Sequence, residues 1–151
     1  MKSKKVLKGS AKELEVATEV VVKNAGEIEN LINKALIQEL KEKGVKFTEE
    51  NLMWLFKNKN GKIIFLEKGK NSGGFQHILK HKEEFLDKGI FEEDLAEFIM
   101  ESLKNGKIVG KEGSRFVYEY IYKGIKQTTA ITVSSNGFVV GANPVSKFKK
   151  L

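Results

Sequence analysis

The hydrophobic pattern changes its period part-way along the chain, and this change constrains the fold more than any other feature. Up to about residue 43, apolar residues recur at helical spacing, so that one helix is predicted to begin at the N-cap Ser10 and a second to end near Gly44. Beyond this point the apolar runs are short and alternate with turn sequences, which is typical of β-hairpins. The sequence therefore predicts an N-terminal helical segment, residues 1–45, and a second domain, residues 46–151.

Two Asn-Gly pairs mark hairpins in the second domain. Asn60-Gly61 and Asn136-Gly137 each separate two apolar runs, and Asn-Gly is the residue pair that two-residue hairpin turns favour most. The predicted strands are 52–56, 63–66, 115–122, 127–135 and 138–143, and the predicted helices between them are 75–88 and 92–104. The fold class is α+β, with N-terminal helices packed on a mainly antiparallel sheet of about four strands.

The composition narrows the classes of function. Lys and Arg together number 27 against 20 Asp and Glu, which gives a formal net charge of +7 and favours an anionic partner, nucleic acid first. The chain has no Cys, and this excludes disulfide frameworks, thiolate zinc sites and cysteine nucleophiles. Because no apolar run is long enough to span a bilayer and no signal peptide is visible, no membrane anchor is predicted.

The two histidines of the chain, His77 and His81, are four residues apart in the predicted helix 75–88. Helical spacing places them together, away from the apolar residues that must face the core. Both a solvated polar face and a functional pair fit this position. A zinc site is disfavoured because Lys80 and Lys82 beside the pair would repel a cation, so that no metal or cofactor is predicted.

Such a pair suits the cleavage of RNA without metal. This reaction needs a base for the 2′-OH, an acid for the leaving 5′-oxygen, and donors or cations for the charge on the phosphorus. Histidine titrates near neutral pH and can serve in either role. In the predicted strand 127–135, alternation places Thr132 and Ser134 on one face, where their hydroxyls are either donors or simply solvated β-formers.

The predicted strand 115–122 offers further candidates. Tyr118 and Tyr120 share one face, and they suit either stacking on bases or packing in the core. Arg115 is the only arginine of the chain. Its guanidinium can fork onto a phosphate, or it can form a surface salt bridge with Glu112 or Glu119.

Five segments, taken in order, resemble those of a known nuclease superfamily. They are Phe65-Leu66-Glu67-Lys68-Gly69, Gly74-Phe75-Gln76-His77-Ile78-Leu79-Lys80-His81, Glu84-Phe85, the run from Ile131 to Val140, and Asn143-Pro144. Over about residues 46–145 the chain resembles the barnase–EndoU–colicin–RelE-like (BECR) nucleases, in particular the phage and polymorphic-toxin branch. Where that branch often has Val-Thr-Ala-x-Pro near the end, this chain has Val140-Gly141-Ala142-Asn143-Pro144.

The resemblance implies a metal-independent toxin ribonuclease that cleaves RNA, often tRNA, by attack of the 2′-OH. It implies an RNA substrate, a cognate immunity or antitoxin protein, and action in a bacterial cytoplasm, either as a free chain or as part of a larger secreted or phage-borne protein. The implied roles are acid and base for His77 and His81; phosphate neutralisation for Arg115 or Lys82; hydrogen-bond donation for Thr132, Ser134 and Tyr118; and RNA binding for Lys80, Lys82 and Tyr120.

Two alternatives belong to other classes of function. A non-catalytic, basic phage or accessory module would bind nucleic acid through its lysines, and its affinity would fall steeply with salt. A metallohydrolase would be inhibited by chelators. Only the ribonuclease requires the histidine pair.

Overall fold

The computed structural model describes residues 31–151, and the chain divides into two compact units, Met1–Lys43 and Gly44–Leu151. In the first unit, residues 31–42 are helical (α1), which confirms the described part of the second predicted helix. The predicted helix that begins at Ser10 lies outside the described residues. The second unit contains the strands and helices that position the candidate site.

The second unit is an α+β fold, as predicted. Its elements in chain order are β1 (Leu52–Lys57), β2 (Ile63–Glu67), α2 (Phe75–Ile78), α3 (Lys82–Asp87), α4 (Glu92–Asn105), β3 (Lys107–Glu112), β4 (Arg115–Tyr122), β5 (Ile125–Val133), β6 (Val139–Pro144) and β7 (Lys149–Lys150). Two 3₁₀ turns, Glu49–Asn51 and Leu79–His81, precede β1 and α3.

The strands form two sheets. β1 and β2 form a two-stranded antiparallel sheet, and the other strands form a five-stranded antiparallel sheet in the order β6-β5-β4-β3-β7. Both hairpins that the Asn-Gly pairs predicted are present. The larger sheet has more strands than the prediction because β3 and β7 are too short and too rich in lysine to give a periodic apolar signal.

The helices cover one face of the five-stranded sheet, which we call the helix-side face. Phe98 of α4 lies at the centre of this packing, with its ring centroid 6.4 Å from that of Tyr120 and 5.2 Å from that of Tyr122. Tyr118, two residues earlier on β4, packs against the same buried cluster. Alternation along β4 therefore directs Phe116 and the three tyrosines toward the helix-side face and the residues between them toward the opposite face.

The opposite face, which we call the outer face, is partly covered by the chain beyond β6. Residues 145–148, here called the strap, connect β6 at one edge of the sheet with β7 at the other. Thr128 Oγ1 donates to the Val145 carbonyl at 2.6 Å, and the Phe148 ring lies against Gly110 on β3. Val117 and Ala130, which face outward in the middle of the sheet, have no exposed surface.

The predicted helix over 75–88 is confirmed in its extent, but it is not one regular α-helix. The chain forms the short helix α2, the 3₁₀ turn Leu79–His81 and then α3. At the turn the Lys82 N–H donates to the Leu79 carbonyl, three residues back instead of four. Three residues at 3₁₀ geometry rotate the chain only about 60° more than three residues of an α-helix do. The spacing of apolar residues does not reveal so small a change. His77 and His81 are therefore not neighbours on one regular helix.

Candidate active site

A glycine-rich loop joins β2 to α2 and fixes where α2 begins. Gly69 and Gly74 both have positive φ angles, +71° and +96°. Their backbones touch, because a Cβ built on Gly74 would lie 2.7 Å from the Gly69 Cα. The Gly74 N–H donates to the Val140 carbonyl of β6 at 2.9 Å. The loop thus attaches the start of α2 directly to the edge of the five-stranded sheet.

This attachment brings the His77 ring onto β6. His77 Nδ1 lies 2.6 Å from the carbonyl oxygen of Asn71, in the same loop. Because a carbonyl oxygen only accepts, Nδ1 carries the proton, and in the neutral ring Nε2 bears the lone pair. The Cδ2–Nε2 edge of the ring faces Gly141: a Cβ built on Gly141 would lie 2.9 Å from Cδ2 and 3.3 Å from Nε2.

The register of the sheet places three more polar side chains in line with Gly141. Thr132 of β5 is the partner of Gly141, and Arg115 of β4 is the partner of Glu112 of β3. Phe116 pairs with Ile131, so that one further step of the same register sets Arg115 opposite Thr132. Since paired residues share a face, the four positions form one row across the outer face, with neighbours about 4.8 Å apart.

We call Gly141, Thr132, Arg115 and Glu112 the outer-face row, with the His77 ring at its Gly141 end. The Thr132 side chain is half-buried, and within the part of the chain that the structure describes its hydroxyl has no hydrogen-bond partner. A half-buried hydroxyl in this row is available to donate to an incoming oxygen.

Arg115 is fixed by two acceptors. Its guanidinium donates to the Glu112 carboxylate and to the side-chain oxygen of Asn143, the residue two positions beyond Gly141 on β6. Asn143 is itself held through a 3.0 Å bond from its amide nitrogen to the Pro144 carbonyl. The salt bridge with Glu112 that the sequence allowed is therefore present, whereas Glu119 lies 3.8 Å from the Lys126 ammonium instead. The guanidinium has five N–H donors, and two directed bonds orient its plane.

The structure places the second histidine and the two lysines elsewhere. His81 ends the 3₁₀ turn, and its Nδ1 lies 2.7 Å from the Glu84 carboxylate. The Lys82 ammonium lies 3.6 Å from the Glu92 carboxylate. Lys80 is exposed on the same turn. These three residues follow α2 along the chain and are not part of the outer-face row.

The remaining predicted donors also lie outside the row. The Ser134 hydroxyl donates to the Asn136 side chain within the β5–β6 turn. Tyr118 and Tyr120 are on the helix-side face, where burial raises the pKa of both hydroxyls and the Glu101 carboxylate raises that of Tyr120 further. This packing agrees with the core interpretation of the two tyrosines.

No family model and no curated protein matches the chain. Within residues 31–151 no group of three or more His, Cys, Asp or Glu side chains is placed to hold a metal ion. In the same residues no helix is long and apolar enough to cross a membrane.

Sequence reasoning missed four residues that build this site: Asn71, Glu112, Gly141 and Asn143. The sequence indicates Glu112 only as a salt-bridge partner of Arg115, and Gly141 only as a departure from a motif. One signal was available, because a glycine inside a strand often marks a close approach by another group. The role of Asn143 depends on strand register, which the residue pattern does not contain.

Proposed function

We propose that the unit Gly44–Leu151 is a metal-independent endoribonuclease whose site is the outer-face row together with His77. One observation carries the proposal: the imidazole Nε2 edge, a hydroxyl that has no hydrogen-bond partner among residues 31–151, and an oriented guanidinium follow one another along one face of the sheet. A base, a neutral donor and a cation are three of the groups that this cleavage uses when no metal takes part.

In the proposed reaction, Nε2 of His77 removes the proton from a 2′-OH. The 2′-oxygen attacks the adjacent phosphorus, and the bond from phosphorus to the 5′-oxygen breaks. The products are a 2′,3′-cyclic phosphate and a 5′-hydroxyl. The leaving 5′-oxygen takes its proton from water, because His81, whose Nδ1 lies 2.7 Å from the Glu84 carboxylate, is not part of the outer-face row.

Arg115 and Thr132 are assigned to the non-bridging phosphate oxygens. The charge on these oxygens increases as the fifth bond to phosphorus forms, and donors that are already oriented stabilise it without reorganising. The Arg115 guanidinium is held by Glu112 and Asn143 before any substrate binds. Removal of one such donor typically costs about 10²–10³-fold in kcat.

The biological part of the proposal is a toxin domain that cleaves RNA, with tRNA as the first candidate, in a bacterial cytoplasm. The net charge of +7 supports a polyanionic substrate. It equally supports a cognate immunity or antitoxin protein with an acidic surface, because complementary charge speeds association and selects the partner.

The experiment incubates the full chain with total tRNA in EDTA and separates the products on a denaturing gel. We expect discrete fragments that end in 2′,3′-cyclic phosphate, and no fragments with His77→Ala. Thr132→Val and Arg115→Lys should lower the rate about 10²-fold or more. Ser134→Ala is the matched control for Thr132→Val, because this hydroxyl is engaged within a turn, and it should cleave like the wild type.

Two results would contradict the proposal. Unchanged cleavage by His77→Ala would remove the base from the mechanism. If the wild type and all variants leave tRNA intact, but the wild type shifts tRNA on a native gel in a salt-sensitive way, the protein is a non-catalytic nucleic-acid-binding module instead.

A further inference from the structure

We propose that Gly141 is a positioning residue for His77, and that its missing side chain is what allows the imidazole to reach the outer-face row. The inference rests on the proposed function, since it concerns the orientation of the proposed base. It is drawn from the contact between the two residues, which belong to different elements, α2 and β6.

The contact is specific to one partner. Among residues 31–151, the only atoms within 4 Å of a Cβ built on Gly141, apart from its chain neighbours, are Cδ2 and Nε2 of His77, at 2.9 Å and 3.3 Å. Real Cβ atoms essentially never approach another heavy atom closer than 3.0 Å. Within the described residues, a methyl group at residue 141 therefore conflicts with the imidazole alone.

The backbone of Gly141 gives no second reason for a glycine. Its φ is not among the positive values of the chain, and it lies inside β6 as the partner of Thr132. An alanine can adopt this extended conformation without strain. The reason for glycine at this position is thus the space that the ring occupies.

Neither element can easily move to make room. β6 is paired with β5 along one edge, and at the other edge the Val140 carbonyl accepts from the Gly74 N–H. On the other side, the loop that begins α2 is packed backbone to backbone at Gly69 and Gly74. The group that can move is therefore the His77 side chain. To make room for a Cβ at residue 141, it must rotate and lose its 2.6 Å hydrogen bond to the Asn71 carbonyl.

Such a rotation affects the reaction through geometry alone. The imidazole keeps its chemistry, but Nε2 leaves its place at the Gly141 end of the outer-face row. A displacement of about 1 Å in a reacting group can cost about 10²-fold in rate. We therefore expect Gly141→Ala to lower kcat about 10²-fold with little change in KM, because Arg115 and the other RNA contacts remain in place.

The test is a double-mutant cycle with the full chain: wild type, Gly141→Ala, His77→Ala and the double variant. Melting temperatures measure the coupling. We expect Gly141→Ala to lower the melting temperature when His77 is present and to have little effect when residue 77 is alanine. Failure of Gly141→Ala to fold, with recovery of folding in the double variant, would show the same coupling.

A second readout follows the ring itself. The ¹H and ¹⁵N chemical shifts of the His77 imidazole should change in Gly141→Ala, because the Nδ1 bond to Asn71 is lost, while those of His81 should stay the same. Unchanged His77 signals would overturn the assignment. Equal losses of melting temperature in both backgrounds, or loss of folding in both, would overturn it as well.

These physical readouts do not depend on RNA cleavage. A chain that cleaves no RNA and still shows the coupling and the shifted signals would refute the proposed function and keep the positioning role. A chain that cleaves RNA and keeps wild-type kcat with Gly141→Ala would refute the positioning role alone.

Discussion

The hydrogen-bond partners of Arg115 determine how its guanidinium is oriented. Its donors engage Glu112 and Asn143, which come from the two strands on either side of the β4–β5 pair. The ammonium group of a lysine is a compact charge without the planar set of donors that a guanidinium has. It cannot donate to two directed acceptors and a phosphate in one plane. For this reason Arg115→Lys, which keeps the charge, is a sharper test of the site than removal of the side chain.

At Tyr118 the relevant property is the pKa of the hydroxyl. Burial raises this pKa, because the phenolate loses more hydration than the neutral phenol does. A pKa that is higher in the folded than in the unfolded chain contributes stability that is complete below about pH 10 and is lost as the pH rises through the folded-state pKa. Phenylalanine cannot ionise, so that Tyr118→Phe lacks this contribution at every pH.

We therefore expect the free energy of unfolding of the wild type to fall more steeply above about pH 10 than that of Tyr118→Phe. Urea denaturation of both proteins from neutral to alkaline pH measures the difference. The lysines titrate in the same range, but they are common to both proteins and cancel in the comparison. Parallel curves would contradict the burial of the hydroxyl. RNA cleavage by the variant should stay at the wild-type level, because this ring lies on the helix-side face.

At the scale of elements, the β2–α2 loop is the part whose backbone geometry the site depends on. Gly74 combines a positive φ with a close approach to Gly69, whereas Gly89, after α3, has a positive φ of +86° and open space around it. The two glycines thus separate the cost of the backbone conformation from the cost of crowding. A non-glycine residue in the left-handed region costs about 1–2 kcal/mol.

We expect Gly89→Ala to lower the free energy of unfolding by about 1–2 kcal/mol, the conformational cost alone. Gly74→Ala should cost about 1–3 kcal/mol more, because its Cβ meets backbone atoms that cannot rotate away. Urea denaturation of the two variants beside the wild type gives both values. Equal losses of unfolding free energy in the two variants would show that the loop relaxes around the added Cβ and that its close packing does not fix α2.

The elements that the sequence predicted correctly are those with a local cause. The β1–β2 hairpin follows from alternating apolar residues and from a turn in which the Asn58 side chain accepts from the N–H groups of Asn60 and Lys62. Helix α4 follows from its apolar stripe, which is buried at Leu95, Phe98 and Ile99. The broken helix at Leu79–His81 and the short strand β3 have no such local signature. They depend on tertiary packing and on pairing with β4.

At the scale of the whole molecule, the strap is a short segment that connects β6 and β7, the two edge strands of the five-stranded sheet. It crosses the outer face between the two edges of the five-stranded sheet, and the Val145 carbonyl accepts from Thr128 Oγ1 on the way. Phe148 is its main apolar contribution, and the ring lies against Gly110, the partner of Val117. The strap therefore completes the core on the side of the sheet that the helices do not cover.

We expect Phe148→Ala to lower the free energy of unfolding by about 1–3 kcal/mol, less than a fully buried phenylalanine, because the ring is half-buried. Phe91→Ala is the matched control: this residue is 50% exposed, and the loss should be under about 1 kcal/mol. Thermal or urea unfolding of both variants measures the difference between the two losses of unfolding free energy. A loss at Phe148 no larger than at Phe91 would mean that the strap does not stabilise the sheet.

The candidate site was predictable only in part, for a reason that also lies at this scale. His77, Thr132 and Arg115 were each singled out by residue type, but their meeting on one face depends on the register of three strands and on the entry of α2 at the edge of β6. Periodicity specifies faces and not registers, because a shift of two residues keeps the face and changes the neighbours. The His81 ring and the Ser134 hydroxyl contact Glu84 and Asn136 instead, and neither residue belongs to the row.

Arg115 is the only arginine, and it begins a strand in the middle of a five-stranded sheet. An arginine-specific endoprotease consequently has one peptide bond to hydrolyse in the whole chain, the bond between Arg115 and Phe116. That bond is accessible only when β4 separates from β3 and β5, so that digestion proceeds at the rate and extent at which the sheet opens. The two products, residues 1–115 and 116–151, would make the protein its own reporter of sheet opening, without any label.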